Sequence, residues 1–454
     1  MPGYVGRVPA DVPPLPDPND PLGLGKLFGA DVLGQLQRLM SGSGGPVNWE
    51  LASEVARSAL AGEDPAVGAA DRQAVAEAGR LAEVWLDPVT TLPGSGADPL
   101  AWSRLDWLQE TQDAWRRLVE PVASRVTAAL GGALEQGLSG DAVPPELRGM
   151  LSGLGPNPFT GVMQQVGGVV FGAQVGQALG GLARDVLSTS EVGLPLGRSA
   201  LLPANVGAFA EGLDVPLDEI RLYLALREAA HQRLFTHVPW LRAHLYDAVD
   251  AYARGIEIDL SALEEAVGSL DLSDPTAVQD AMASGLFAQS PTPSQQAALD
   301  RLETVLALVE GWVDQVVDAA AGSRLPHAGA LRETVRRRRA TGGPAEQTFA
   351  TLVGLELRPR RLREASALWA RIGQVRGTDG RDALWAHPDL LPGAADLDDP
   401  LGWGAEETTE TDWDAGLRAL DKDLDGSLDD DQRGGPEAGP EAGPEAGPGS
   451  GSAP

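Results

Sequence analysis

Apolar residues recur along this chain at three- and four-residue spacing, the period of one helix face. Leu33, Leu36 and Leu39–Met40 make a short amphipathic element, and Trp49–Leu60 and Asp71–Trp85 make two longer ones. Trp102, Leu105, Trp107, Leu108 and Trp115 crowd a fourth, where indole rings read as core packing. Ser294–Ala321 carries a seam of Leu299, Leu302, Leu306, Val309, Val313 and Val316, with Glu310 and Asp314 one turn apart beside it. Leu331–Arg339, Ala345–Leu357 and Leu362–Val375 continue the pattern, and Ser188–Asn205, rich in Gly and Pro, reads as a loop. No stretch sustains a period of two, so the expected fold is mainly α, with very little strand.

The uncharged stretch Gly161–Ala183 is long enough to span a bilayer. Its four Gln and many Gly make it too weakly apolar for that. Gly168, Gly172, Gly176 and Gly180 recur every four residues and form a smooth ridge on which another helix can lie closely, so a buried core helix is expected.

Pro216–Tyr252 is the most informative stretch. Asp214 and Pro216 signal a helix start, and Asp218 and Glu219 suit its positive end. Ile220, Tyr223, Leu224, Leu226, Ala230 and Leu234 cover a broad apolar arc. Arg227 falls within that arc, His231 at its edge, and Glu228 with Arg221 and Gln232 on the polar side. A guanidinium on an apolar arc needs a carboxylate, and Glu310 or Asp314 is the expected partner of Arg227. His237, Pro239 and Trp240 mark a break before a second helix.

Arg227-Glu228-Ala229-Ala230-His231 is one residue away from His-Glu-x-x-His, in which two His a turn apart hold zinc and the Glu deprotonates water. Arg227 stands where the first His would be, and a guanidinium has no lone pair to give a metal. His231 with Glu310 and Asp314 would make an oxygen-rich site that leans towards harder ions than catalytic zinc. The bland readings of the same residues are a hydrogen-bonded buried His231 and a salt-bridged Glu228.

Composition narrows the options. The 454-residue chain has a formal charge of −30 and no cysteine, which excludes disulfides and Cys-ligated metals. Its acidity argues against nucleic acid or an anionic membrane as a main partner. The opening MPGYVGRVPADVPPLPDPND lacks an apolar signal-peptide core, so the expected location is the cytoplasm. The Arg336–Arg339 run reads as a solvated helix end near acidic neighbours rather than a phosphate site. We expect a disordered arm over 1–26, helical regions over 27–154 and 155–393, and an acidic disordered tail over 394–454. That tail holds 17 acidic and 3 basic residues, close to half of the net charge, and ends in Gly-Pro-Glu-Ala repeats. Within it Asp421, Asp423, Asp425 and Gly426 follow calcium-loop spacing, but Gln432 stands where a bidentate Glu is needed. An acidic tail and a weak calcium site are both open readings.

At Arg227–His231, with the following LFTHVPWLRAHL, the chain resembles the zincin-like zinc metalloproteases, some of them linked to deazaflavin coenzyme biosynthesis. The resemblance also covers Gly180–Phe209, Leu308–Asp318 and Pro344–Trp369, and spans roughly residues 155 to 390. It implies a mostly helical fold and a zinc peptidase acting on peptide or protein. Residue by residue it implies Glu228 as general base and His231 and Glu310 as metal ligands. Competent members have His where this chain has Arg227, and a Glu-Gly-His where it has Glu310-Gly311-Trp312. The expectation is therefore a metalloprotease-like hydrolase whose zinc is weakly held or lost; the alternative is a non-catalytic pseudo-protease that binds a protein partner.

Overall fold

A computed structural model of the protein describes residues 45–139, 158–256, 292–340 and 361–404. The expected elements at Leu33–Met40 and Ala345–Leu357, the N-terminal arm and the calcium-like loop lie outside the described residues.

The helices in chain order are α1 (Trp49–Ala59), α2 (Ala69–Leu86), α3 (Arg104–Ser139), α4 (Pro158–Asp185), α5 (Pro203–Ala210), α6 (Leu217–His237) and α7 (Pro239–Arg254). They continue with α8 (Pro293–Ala321), α9 (Ala328–Ala340), α10 (Leu362–Asp382) and the short α11 (Ala394–Asp398), with two 3-10 turns between the last two. Local chemistry sets several ends. The Asn48 side chain accepts from the Leu51 N–H at the start of α1. Thr292 and Gln295 form a reciprocal capping box at the start of α8. Proline opens α5, α7 and α8, and Gly377, at φ 71°, kinks α10.

One short strand and the first residues of α5 fall within the loop expected over Ser188–Asn205. β1 (Leu100–Ala101) pairs in parallel with β2 (Ala200–Leu201), and Ser188 bridges antiparallel to Leu201. These backbone bonds pin both ends of the 188–201 segment.

The glycine ridge on α4 does what its spacing implies. It lies against α1 and the residues before it: a Cβ on Gly172 would sit 2.5 Å from the Asn48 carbonyl oxygen, and one on Gly176 2.5 Å from that of Ala52. Backbone oxygens cannot swing aside as side chains do. Gly176→Ala is therefore expected to destabilise by about 1–3 kcal/mol through overpacking, although Ala is the better helix former. Gly181, off the ridge with nothing within 4 Å, is the control. Gly181→Ala should stabilise by about 0.5–1 kcal/mol. Urea unfolding of the pair tests this, and equal effects would refute close packing as the reason for the ridge.

The core runs through the described helices up to Leu397, which is fully buried past the composition change at Ala394. Trp312, Trp369 and Trp385 pack together in it, Trp385 stacking on Trp369 and meeting Trp312 edge-on. Among the described residues no helix is long and apolar enough to cross a membrane.

Candidate functional site

α6 runs through the middle of the molecule. Every residue from Leu222 to Phe235 is buried, the polar ones included. Helices α2 and α8 flank it, α9 touches it, and the 188–201 segment lies over it. The expected polar face holding Glu228 and Gln232 does not exist, because this segment covers it. Each buried polar side chain of α6 instead meets a partner, as burial demands.

Arg227 Nη2 donates to Glu310 Oε2 at 2.8 Å. His231 Nε2 lies 2.8 Å from Glu310 Oε1, and its Nδ1 lies 2.9 Å from the Arg227 carbonyl oxygen. Arg339 Nη1 is 3.0 Å from the same Oε1. Glu310 is fully buried. Burial pushes its carboxyl up, but Arg339, His231 and Arg227 overcome this and bring it down to about 2. Both sides of the imidazole are held. The Arg227 carbonyl and the Glu310 carboxylate are both acceptors, and between them they engage both ring nitrogens of His231. One buried carboxylate thus faces two guanidinium groups and an imidazole.

Glu228 points elsewhere. Its Oε2 accepts from the Ser190 N–H at 2.9 Å, and Oε1 accepts from Gln232 Nε2 at 3.0 Å and Ser190 Oγ at 3.3 Å. Burial pushes its carboxyl up, and the Ser190 N–H, His231 and Gln232 oppose this only in part. The sign of the stability effect follows. The folded state binds this proton more tightly than the unfolded chain, so Glu228 lowers stability as pH rises above 4.5 through the folded value. Glu228→Gln keeps an oxygen for the Ser190 N–H and removes the charge. Its stability relative to the parent should rise as pH increases above 4.5, as read by denaturation midpoints; parallel profiles would refute the raised carboxyl.

The remaining predicted residues separate. Asp314 is not the partner of Arg227. It takes Arg332 and Arg336 of α9, each at 2.6 Å, and the Ser366 hydroxyl at 2.7 Å. Burial raises its carboxyl and the two arginines more than reverse that. Trp312 sits two residues from Glu310, about 200° round the helix. Its Nε1 donates to Asp382 at 2.9 Å, on the side of α8 that faces α10. Gly311 lets α10 approach, since a Cβ there would lie 2.5 Å from that of Ala365.

The sequence did not single out Arg339, Ser190 or Gln232. Arg339 belongs to the run expected to be a solvated helix end, yet Arg339 is buried and Arg338 bonds Glu191 at 3.1 Å. Gly193, at φ 77°, brings the covering segment onto the cluster; a Cβ there would lie 3.0 Å from Glu310 Oε1.

Zinc does not fit this donor set. Both His231 ring nitrogens and both Glu310 oxygens are engaged, and two guanidinium groups stand where they would repel a metal cation. Among the described residues no group of three or more His, Cys, Asp or Glu is arranged to hold a metal.

No curated protein matches the chain. A crystal structure of a candidate hydrolase with a novel fold from Chloroflexus aurantiacus is similar, with a TM-score of 0.54 and 20% identity. The match covers 79% of this chain and 97% of that one, and at that identity it shows the fold alone. The family model described as zincin-like metallopeptidase matches residues 47–403, which contain the helices α1 to α11 and every residue of the ion cluster. The chain belongs to the zincin-like metallopeptidase family.

Proposed function

We propose that this chain is a metalloprotease-like protein that has exchanged its metal for an ion cluster and binds a peptide or protein partner without cleaving it. The observation that supports this is the contact of Arg227 and His231 with the two oxygens of Glu310. The side chains that would hold zinc are engaged with one another, and Arg227 and Arg339 supply the positive charge. A water with no Lewis acid to activate it has a pKa near 16 and is a poor acid for the Glu228 carboxylate. The fold is then kept as a scaffold by the charge of the cluster rather than by a metal.

Hydrolysis at an altered site is the second reading. It has in its favour that Glu228 keeps the position of the general base and that burial raises its carboxyl towards a useful range.

Metal analysis of the purified protein, with peptide hydrolysis assayed with and without chelator, tests the proposal. Sub-stoichiometric zinc and no chelator-sensitive hydrolysis are expected. Stoichiometric zinc together with hydrolysis abolished by Glu228→Gln would overturn it and establish the enzyme.

A further inference from the structure

Helices α1 and α3 both lie on α4 and leave a cavity of about 190 Å³ between them. Trp49, Ala52 and Ala56 of α1, Leu108 of α3 and Leu179 of α4 give it an apolar lining. Gln112 Nε2 of α3 donates to Ser53 Oγ of α1 at 3.0 Å, and this bond ties the two walls together. With its walls tied and its volume small, the cavity has no room for a helix or strand of a partner. It suits a small molecule. An apolar cavity of about 150 Å³ takes a benzene ring, so this one takes a ring or a branched alkyl group and a few atoms more.

Arg57 and Gln109 add what an apolar hole alone would lack. They line the same cavity from α1 and α3, and both are exposed. Among the described residues neither side chain makes a hydrogen bond or ion pair. No carboxylate lines the cavity, although the chain carries a formal charge of −30. The one charge in the lining is thus an unpaired guanidinium, whose planar fork matches a carboxylate. An apolar interior with a few polar groups that fix orientation is the usual build of a small-molecule site. We propose that this cavity binds a small monocarboxylic acid bearing one apolar group, an aryl or branched short-chain acid. The apolar group lies against Leu179, and the carboxylate meets Arg57 and Gln109. None of these residues belongs to the ion cluster, so binding here does not depend on whether α6 holds a metal.

Ligand-observed NMR on the full-length protein tests this with three probes: phenylacetate, its neutral amide phenylacetamide, and acetate. Phenylacetate is expected to bind saturably and about tenfold more tightly than the amide, the scale of one charge-assisted hydrogen bond. Acetate, which has no apolar group to bury, should not saturate. Arg57→Gln, an exposed change that leaves the core untouched, should remove the preference for the acid. Leu108→Trp, which fills the cavity, should abolish binding of both aromatic probes. No saturable binding of phenylacetate up to about 10 mM would overturn the proposal. Equal affinity for acid and amide, or a preference that survives Arg57→Gln, would overturn it as well. Binding unchanged in Leu108→Trp would place the ligand elsewhere and sink it too.

Discussion

Glu310→Gln is expected to destabilise the protein by on the order of 3–5 kcal/mol, the scale of leaving a buried charge without its partner. The carboxylate is fully buried and faces Arg227, Arg339 and His231 at once. An amide oxygen can still accept from one of them, but its NH₂ then confronts a guanidinium, and the negative charge is gone. Removing one cation costs less. Arg227→Met leaves Glu310 with Arg339 and His231, so the order expected is Glu310→Gln well above Arg227→Met. Acid sharpens the test. The Glu310 carboxyl sits at about 2 in the folded state against an ordinary 4.5, so its contribution is complete above 4.5 and is lost as pH falls towards 2. The Gln variant should lose that part of the acid dependence. Urea unfolding at neutral and acidic pH measures both effects. A cost below about 1 kcal/mol, the size of an ordinary surface change, would show that the cluster is not a structural centre.

The helices were legible because their signal is local. The seam from Leu299 to Val316 and the ridge from Gly168 to Gly180 name their own faces, and α8 and α4 lie where those faces predict. The pairing of Arg227 with Glu310 was legible for a different reason. A cation on an apolar arc has few ways to be satisfied, and the other long helix carried two carboxylates beside its own seam. Which of the two it takes is a matter of helix rotation, and Asp314 turns to α9 instead. Glu228 was misplaced because periodicity assumes that the polar side of a helix faces water. A covering segment from thirty to forty residues earlier, pinned by two short backbone pairings, leaves no such side on α6. The Arg336–Arg339 run hid Arg339 for a related reason. Four identical residues carry no clue to which of them turns inward, and that depends on where α9 docks. The motif also suggested that Arg227 and Trp312 together replace two lost imidazoles. Residues two apart on one helix face opposite ways, and Trp312 belongs with Asp382 and Trp385.

Restoring a metal centre should therefore require a different pair of changes from the one the motif suggests. Arg227→His places a second imidazole one turn before His231, on the helix face that meets Glu310. Two imidazoles and a carboxylate form the His₂Glu set that leaves zinc one open position. The obstacle that remains is Arg339, whose guanidinium lies 3.0 Å from Glu310 Oε1 and would repel the ion. Arg339→Met removes that charge and keeps most of the buried side-chain volume. The double variant Arg227→His/Arg339→Met is expected to bind zinc orders of magnitude more tightly than the parent, with Arg227→His alone in between. Adding Trp312→His to Arg227→His should contribute nothing, because that side chain points at Asp382 from the far side of α8. Competition with a chromophoric chelator ranks the variants. Thermal unfolding gives an independent reading, since zinc at about 100 times its Kd adds about 2.7 kcal/mol to a fold that binds it. Zinc binding by Arg227→His/Trp312→His as tight as by Arg227→His/Arg339→Met would refute this geometry and return Trp312 to the place of a lost ligand.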